Sequence, residues 1–191
     1  GSEMCIRDST KLAAVVYNGY IYTSTDSGVT WTQQTSAGSR IWNAIASSSD
    51  GTKLAAGVRS GAPSYIYTST DSGVTWTPRT SAGSRSWYSV ASSSDGTKLA
   101  AVVYGGYIYT STDSGATWTA QTSAGSRSWY AGASSSDGTK LVAGAYGGYI
   151  YTSTDSGATW TAQTSAGSRN WLSIASSSDG TKLAAVVYGG Y

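Results

Sequence analysis

An eight-residue stretch, Ser24-Thr25-Asp26-Ser27-Gly28-Val29-Thr30-Trp31, returns almost unchanged at Ser69 to Trp76, Ser111 to Trp118 and Ser153 to Trp160. Its aspartates stand at 26, 71, 113 and 155, so the spacings are 45, 42 and 42 residues. A period of this size belongs to a solenoid, a propeller or an array, in which each repeat is one supersecondary unit. Repetition also restricts function. Nearly every side chain exists in several equivalent copies, which leaves few places for a unique catalytic group.

The residues between these stretches favour strands. Phe and His are absent, and Trp, Tyr, Thr, Ser and Gly dominate. Aromatic and β-branched residues suit pleated sheets, and Gly, Asn-Gly and Asp-Gly supply turns. In the copy from Ser86 to Thr122 the pattern predicts four strands, labelled A to D. Strand A is Trp87 to Ala91, and an Asp95-Gly96 turn follows. Strand B is the apolar run Lys98 to Tyr104. Gly105-Gly106, or Asn18-Gly19 in the first copy, reads as a two-residue type I′ hairpin. Strand C is Tyr107 to Ser111, and strand D runs from Thr117 to Thr122. A lone four-stranded meander cannot bury both faces, whereas radial stacking of several does so and protects their edges. The predicted fold is therefore all-β: a β-propeller of four-stranded antiparallel blades of about 42 residues.

Within the repeated turn, the aspartate is placed to accept hydrogen bonds from backbone N–H groups two or three residues on. The glycine permits a left-handed conformation, and the tryptophan is a wedge between blades. The pattern S-x-D-x-G-x-T-W resembles the Asp-box, or BNR, repeat of the sialidase-like propellers. All four copies fit it at Asp26, Gly28 and Trp31, at Asp71, Gly73 and Trp76, at Asp113, Gly115 and Trp118, and at Asp155, Gly157 and Trp160. The resemblance covers Thr10 to Tyr191. It implies a structural turn on the face opposite any active site, and an extracellular or cell-surface origin. A sialidase in that family uses three arginines from different blades, a tyrosine–glutamate nucleophile and an acid/base aspartate. Here the one glutamate is Glu3, and the arginines are equivalent loop residues. Glycosidases need two carboxylates in distinct environments, so no catalytic residue is assigned and the chain is read as a non-enzyme.

Two regions depart from the repeat. The second copy carries an insertion, Arg59 to Ser64, in its B–C hairpin. Residues 1–9 share only an aspartate with the repeat and read as a tag or foreign segment. Residues 10–191 then form one propeller domain, with a partial blade 10–35, full blades 41–80, 86–122 and 128–164, and a partial blade 170–191. Copies 99–140 and 141–182 differ at only seven of 42 positions. The expected partner is a second copy of the chain. The C-terminal A and B strands of each copy would join the N-terminal C and D strands of the other in a closed eight-bladed ring, displacing a surplus strand B. The alternative is a single chain closed as four blades, its C-terminal strand A completing the N-terminal B, C and D.

Each period also places an arginine two residues before a tryptophan: Arg40 and Trp42, Arg85 and Trp87, Arg127 and Trp129, Arg169 and Trp171. With Tyr17, Tyr104, Tyr146 and Tyr188 on the same face, this set suits weak, multivalent binding of glycans by stacking and bidentate hydrogen bonds. The plainer alternative is that each arginine stacks on its tryptophan and bonds nearby carbonyls. No cofactor or metal is expected. The aspartates sit singly at turns, without the alternating carboxylates of a calcium loop. A net charge of +2 with no basic stripe gives no nucleic-acid footprint, and no apolar run is long enough to span a membrane as a helix.

Overall fold

The computed structural model describes residues 10–189 and the backbone of Glu3–Cys5, and it contains strands and turns without a helix. Blade 1 holds β1 (Glu3–Cys5), β2 (Leu12–Val15), β3 (Tyr17–Gly19), β4 (Ile21–Ser24) and β5 (Thr32–Gln34). Blade 2 holds β6 (Arg40–Ser47), β7 (Leu54–Ser60), β8 (Ile66–Ser69) and β9 (Thr77–Arg79). Blade 3 is β10 (Trp87–Ser92), β11 (Leu99–Gly106), β12 (Ile108–Ser111) and β13 (Thr119–Gln121). Blade 4 is β14 (Arg127–Ser134), β15 (Leu141–Ala145), β16 (Ile150–Ser153) and β17 (Thr161–Gln163), and β18 (Trp171–Ser176) with β19 (Leu183–Val187) begins a fifth.

Each full blade pairs its strands antiparallel in chain order. The foreign-looking segment joins this scheme. Glu3, Met4 and Cys5 pair with Val15, Ala14 and Ala13, so β1 lies where strand A belongs. Sheet pairing is a backbone property, and three extended residues satisfy it without repeat side chains.

The core lies between blades. A β-branched or small residue on strand B faces strand A of the next blade. A Cβ added at Gly57 would lie 2.9 Å from Cβ of Trp87, and one at Gly144 would lie 2.8 Å from Cβ of Trp171. Alternate residues of the same strand face the preceding blade, which is why both faces of β7 and β11 are apolar and buried. Backbone bonds also bind the blades together. Ser49 N–H donates to the Ser94 carbonyl, Ser94 to Ser136 and Ser136 to Ser178, each at 2.7 Å.

The B–C connection differs from the expected type I′ turn. In blade 4, Ala145 N–H donates to the Tyr149 carbonyl and Gly148 N–H to the Ala145 carbonyl, which encloses three loop residues. Gly147 has φ 71°, while Gly148 does not have positive φ. A three-residue loop needs a single left-handed residue. The second glycine serves close approach instead: a Cβ on Gly106 would lie 2.7 Å from Cγ1 of Val103. The loop tip then splays onto the next blade, where Tyr104 pairs with Ser128 and Gly106 with Arg127.

Among the described residues the first and last blades are less covered than the inner ones. Val102 is 3% exposed, while its equivalent in β19, Val186, is 57% exposed. Trp76 and Trp118 are buried between blades, Trp160 is intermediate, and Trp31 is 38% exposed. The expected burial of all four tryptophans therefore fails at Trp31, because the described residues include no blade before blade 1 to cover it.

Candidate functional site

The repeated turn is a closed hydrogen-bond knot, and blade 1 shows its plan. Ser24 Oγ donates to Asp26 Oδ1 at 2.7 Å and accepts from Gly28 N–H at 2.9 Å. Thr30 N–H donates to Asp26 Oδ1 at 2.9 Å, and Thr30 Oγ1 donates to Asp26 Oδ2 at 2.6 Å. The indole N–H of Trp31 closes the knot on the Gly28 carbonyl at 3.1 Å. The aspartate thus reaches four residues on, not two or three, and the threonine of the motif is its main partner. Ser27 and Gly28 are both left-handed, at φ 59° and 88°. The glycine is needed for space as well. A Cβ on Gly73 would stand 2.7 Å from Cγ2 of Thr23 in the preceding blade.

The aspartates of the A–B turns are held in the same manner. Asp50 accepts from Ser48 Oγ at 2.5 Å and from the Thr52 backbone at 3.0 Å. These bonds favour the charged form. The Thr30 hydroxyl, the Thr30 backbone and the Ser24 hydroxyl hold Asp26 at about 2. Asp113 and Asp155 are at about 2 through their threonines, and Asp50 and Asp179 are at about 2 through Ser48 and Ser177 first. Asp71, Asp95 and Asp137 are lowered by the same kinds of partner. All eight repeat aspartates are therefore ionised acceptors locked in equivalent turns.

The arginine–tryptophan set divides on the structure. Trp42, Trp87 and Trp129 are fully buried and Trp171 is 5% exposed, so none of the four offers a ring to a sugar. The expectation that they line a ligand site is corrected, because strand A carries them into the space between blades. The arginines stack, but on tyrosine rather than tryptophan. Arg40 Cζ lies 4.8 Å from the Tyr67 ring centre, Arg85 5.0 Å from Tyr109 and Arg127 4.8 Å from Tyr151. Each donates Nε to the alanine carbonyl three residues back, at 2.8–2.9 Å. The same tyrosines meet the tryptophans edge-on, at 5.3 Å for Trp42 and Tyr67. Each complete blade thus contains an Arg–Tyr–Trp stack. Arg169 bonds the Ala166 carbonyl at 2.7 Å, and no ring lies beneath it among the described residues.

A second aromatic feature occurs in blades 3 and 4 and not in every blade. Strand A bulges after its tryptophan, and the bulge re-aims the next residue. That residue is Asn43, Tyr88, Tyr130 and Leu172 in turn. Tyr88 stacks on Tyr104 at 5.1 Å and meets Tyr130 at 4.8 Å, and Tyr130 reaches Tyr146 at 5.8 Å. Arg59, from the insertion, caps the row 4.7 Å over Tyr88. Tyr104 and Tyr146 are 45% and 38% exposed, so the row ends in open rings. The sequence placed Tyr104 and Tyr146 on this face but not Tyr88, Tyr130 or Arg59, although variation at one position of a near-identical repeat was the available signal.

No family model and no curated protein matches the chain. Solved β-propellers do. An ancestral GH74 enzyme superposes with a TM-score of 0.73 at 18% identity, over 97% of this chain and 27% of the enzyme. YCF48 bound to D1 peptide gives 0.67 at 21% identity, over 98% and 61%. The β-propeller domain of Myceliophteria thermophila Cps50 (Swd1) gives 0.72 at 12% identity, over 95% and 59%. The chain is thus built as β-propeller blades and spans less than two thirds of each of these proteins.

Proposed function

We propose that the chain is a non-catalytic repeat propeller of the Asp-box, sialidase-like kind, acting as a self-assembling scaffold. The observation that carries this reading is the contrast between inner and terminal blades at identical residue types. Valine at one strand-B position is 3% exposed inside the array and 57% exposed at its end, and the turn tryptophan changes from 7% to 38%. Exposed apolar sheet faces mark interaction surfaces. The carboxylates support the non-catalytic half of the reading. Eight aspartates in equivalent low-pKa turns offer neither a raised-pKa acid nor a pair in unlike environments. Sedimentation velocity over a range of concentrations tests assembly, and a fluorogenic sialoside tests turnover. Concentration-dependent association and no turnover are expected. A monomer at every concentration would contradict the scaffold, and hydrolysis would contradict the absence of catalysis.

The exposed tyrosine row favours a second reading, a weak carbohydrate-binding module. Flat aromatic rings at Tyr104 and Tyr146 suit stacking on sugar faces. Such shallow sites bind weakly one by one and gain by avidity. Calorimetric titration with neutral and sialylated oligosaccharides tests this reading.

A further inference from the structure

At the junction of blades 3 and 4, the turn glycine Gly157 sits against Thr110 and Leu141. The cavity left there is about 10 Å³. The junction of blades 2 and 3 is filled alike by Gly115 against Thr68 and Leu99, again leaving about 10 Å³. At the junction of blades 4 and 5, the equivalent residues Thr152 and Leu183 line an open cleft of about 260 Å³. Leu183 is 45% exposed, whereas Leu99 is 6% exposed. Among the described strands, β19 pairs only with β18.

The same molecule presents the matching half at its other end. Arg169 has no ring beneath it, and Tyr22, the equivalent of Tyr67, has no arginine above it among the described residues. Ala37, Ala82 and Ala124 are buried, while their equivalent Ala166 is exposed, as is Trp31. The Ser-to-Ser backbone series runs from Ser49 to Ser178, which leaves the Ser178 N–H facing onward. Finally, Thr181 to Tyr188 is identical to Thr10 to Tyr17, TKLAAVVY in both. β4 therefore meets the same side chains whether its neighbour is β2 or β19.

Resting on the self-assembly reading above, we propose that the cleft is a docking site for the C–D hairpin of a second copy, residues 20–34. The hairpin leaves its own β2 and pairs with β19 of the other chain, in the register Leu183 to Ser24 and Val186 to Ile21. The ladder exchanged is identical, so pairing itself is nearly neutral. The gain is burial. Gly28 fills the cleft against Thr152 and Leu183, Tyr22 slides under Arg169, and Trp31 covers Ala166. The following blade of the second copy brings the Ser49 carbonyl to the Ser178 N–H. The exchange is reciprocal, so two chains make two such junctions and close the ring of blades, with β1 and β2 of each copy displaced from it. A single chain does not satisfy its own halves, because Trp31 and Val186 are exposed together.

The test uses two variants that each block one half at an exposed residue: Ala166→Arg on the cleft side and Trp31→Ala on the hairpin side. Wild-type chain is expected to be a dimer by light scattering. Each variant alone is expected to be a monomer, because every junction then lacks one half. An equimolar mixture is expected to regain a dimer joined at one junction. Hydrogen exchange on the wild type gives a readout that needs no variant, with the Ser178 amide slowed on dimerisation. Variants that each remain dimeric, with Ser178 exchanging freely, would overturn the hairpin exchange while leaving self-assembly standing. A monomeric wild type would overturn both. A monomeric wild type that binds a synthetic peptide of residues 20–34 would assign the cleft to a further repeat instead of a second copy.

Discussion

The turn tryptophans give a matched pair of substitutions whose outcomes should differ because of position alone. Trp118 and Trp31 occupy the same place in the same motif, and each donates its indole N–H to the motif glycine carbonyl, at 3.0 and 3.1 Å. Trp118 is 8% exposed, lies beside Ala82 and Trp87 in the core between blades 2 and 3, and has its ring centre 6.3 Å from that of Trp87. Trp118→Ala removes a large buried ring and leaves a cavity between two rigid sheets, at a cost of about 3–5 kcal/mol. For a chain of this length that is a fall in melting temperature of roughly 10 °C. Trp31 is 38% exposed, with no blade before it among the described residues, so Trp31→Ala should cost about 1 kcal/mol or less. Thermal and urea denaturation of both variants at high dilution, where chains are separate, supply the comparison. Equal losses would show that the tryptophan acts through its own turn and not through packing between blades.

Three further outcomes follow from the same geometry. The aspartates are more acidic folded than unfolded, so the unfolded chain binds more protons between about pH 4 and the folded value of about 2 for Asp26 and Asp50. Their contribution is complete above pH 4 and is lost on acidification, and the absence of histidine removes one source of change between pH 5 and 8. Melting curves should therefore be flat near neutrality and fall steeply below pH 4, and a midpoint that rises with acid would refute the locked-turn account. Gly73→Ala should destabilise by about 1–3 kcal/mol, since φ is 90° and the new Cβ meets Thr23. Gly38→Ala, at φ 76° with nothing within 4 Å, should cost less in the same urea titration. Arg85→Ala should weaken folding by about 0.5–1 kcal/mol through the lost stack on Tyr109. It should leave oligosaccharide titrations unchanged, and a lost sugar signal would restore the arginines as ligand residues.

Much of the fold could be read in the sequence because the repeat fixes several strands at once. An error in one copy would have had to recur in every copy. The blade, its strand order and the left-handed glycine follow from local chemistry, and local chemistry is written in each 42-residue period. What escaped the reading depends on how strands and loops meet in space rather than on residue type alone. Tyr67 rather than Trp42 carries Arg40, because strands A and C bring those side chains together across the blade. The bulge that turns Tyr88 toward Tyr104 is a register shift between strands and has no marker in residue type. The pairing of Glu3–Cys5 was missed because backbone bonding does not require a familiar side-chain pattern. Gly105-Gly106 looked like a type I′ turn since both residues allow positive φ, yet the second glycine is there to clear Val103.

The claim that terminal blades complete one another is tested most directly by mass in solution. Multi-angle light scattering on the chain at micromolar concentration should give twice the 19.6 kDa of one copy. Trp31 fluorescence should shift to shorter wavelength as the dimer forms, since its ring passes from solvent into an interface between blades. A mass of 19.6 kDa across the whole concentration range, with Trp31 emission unchanged, would contradict the account.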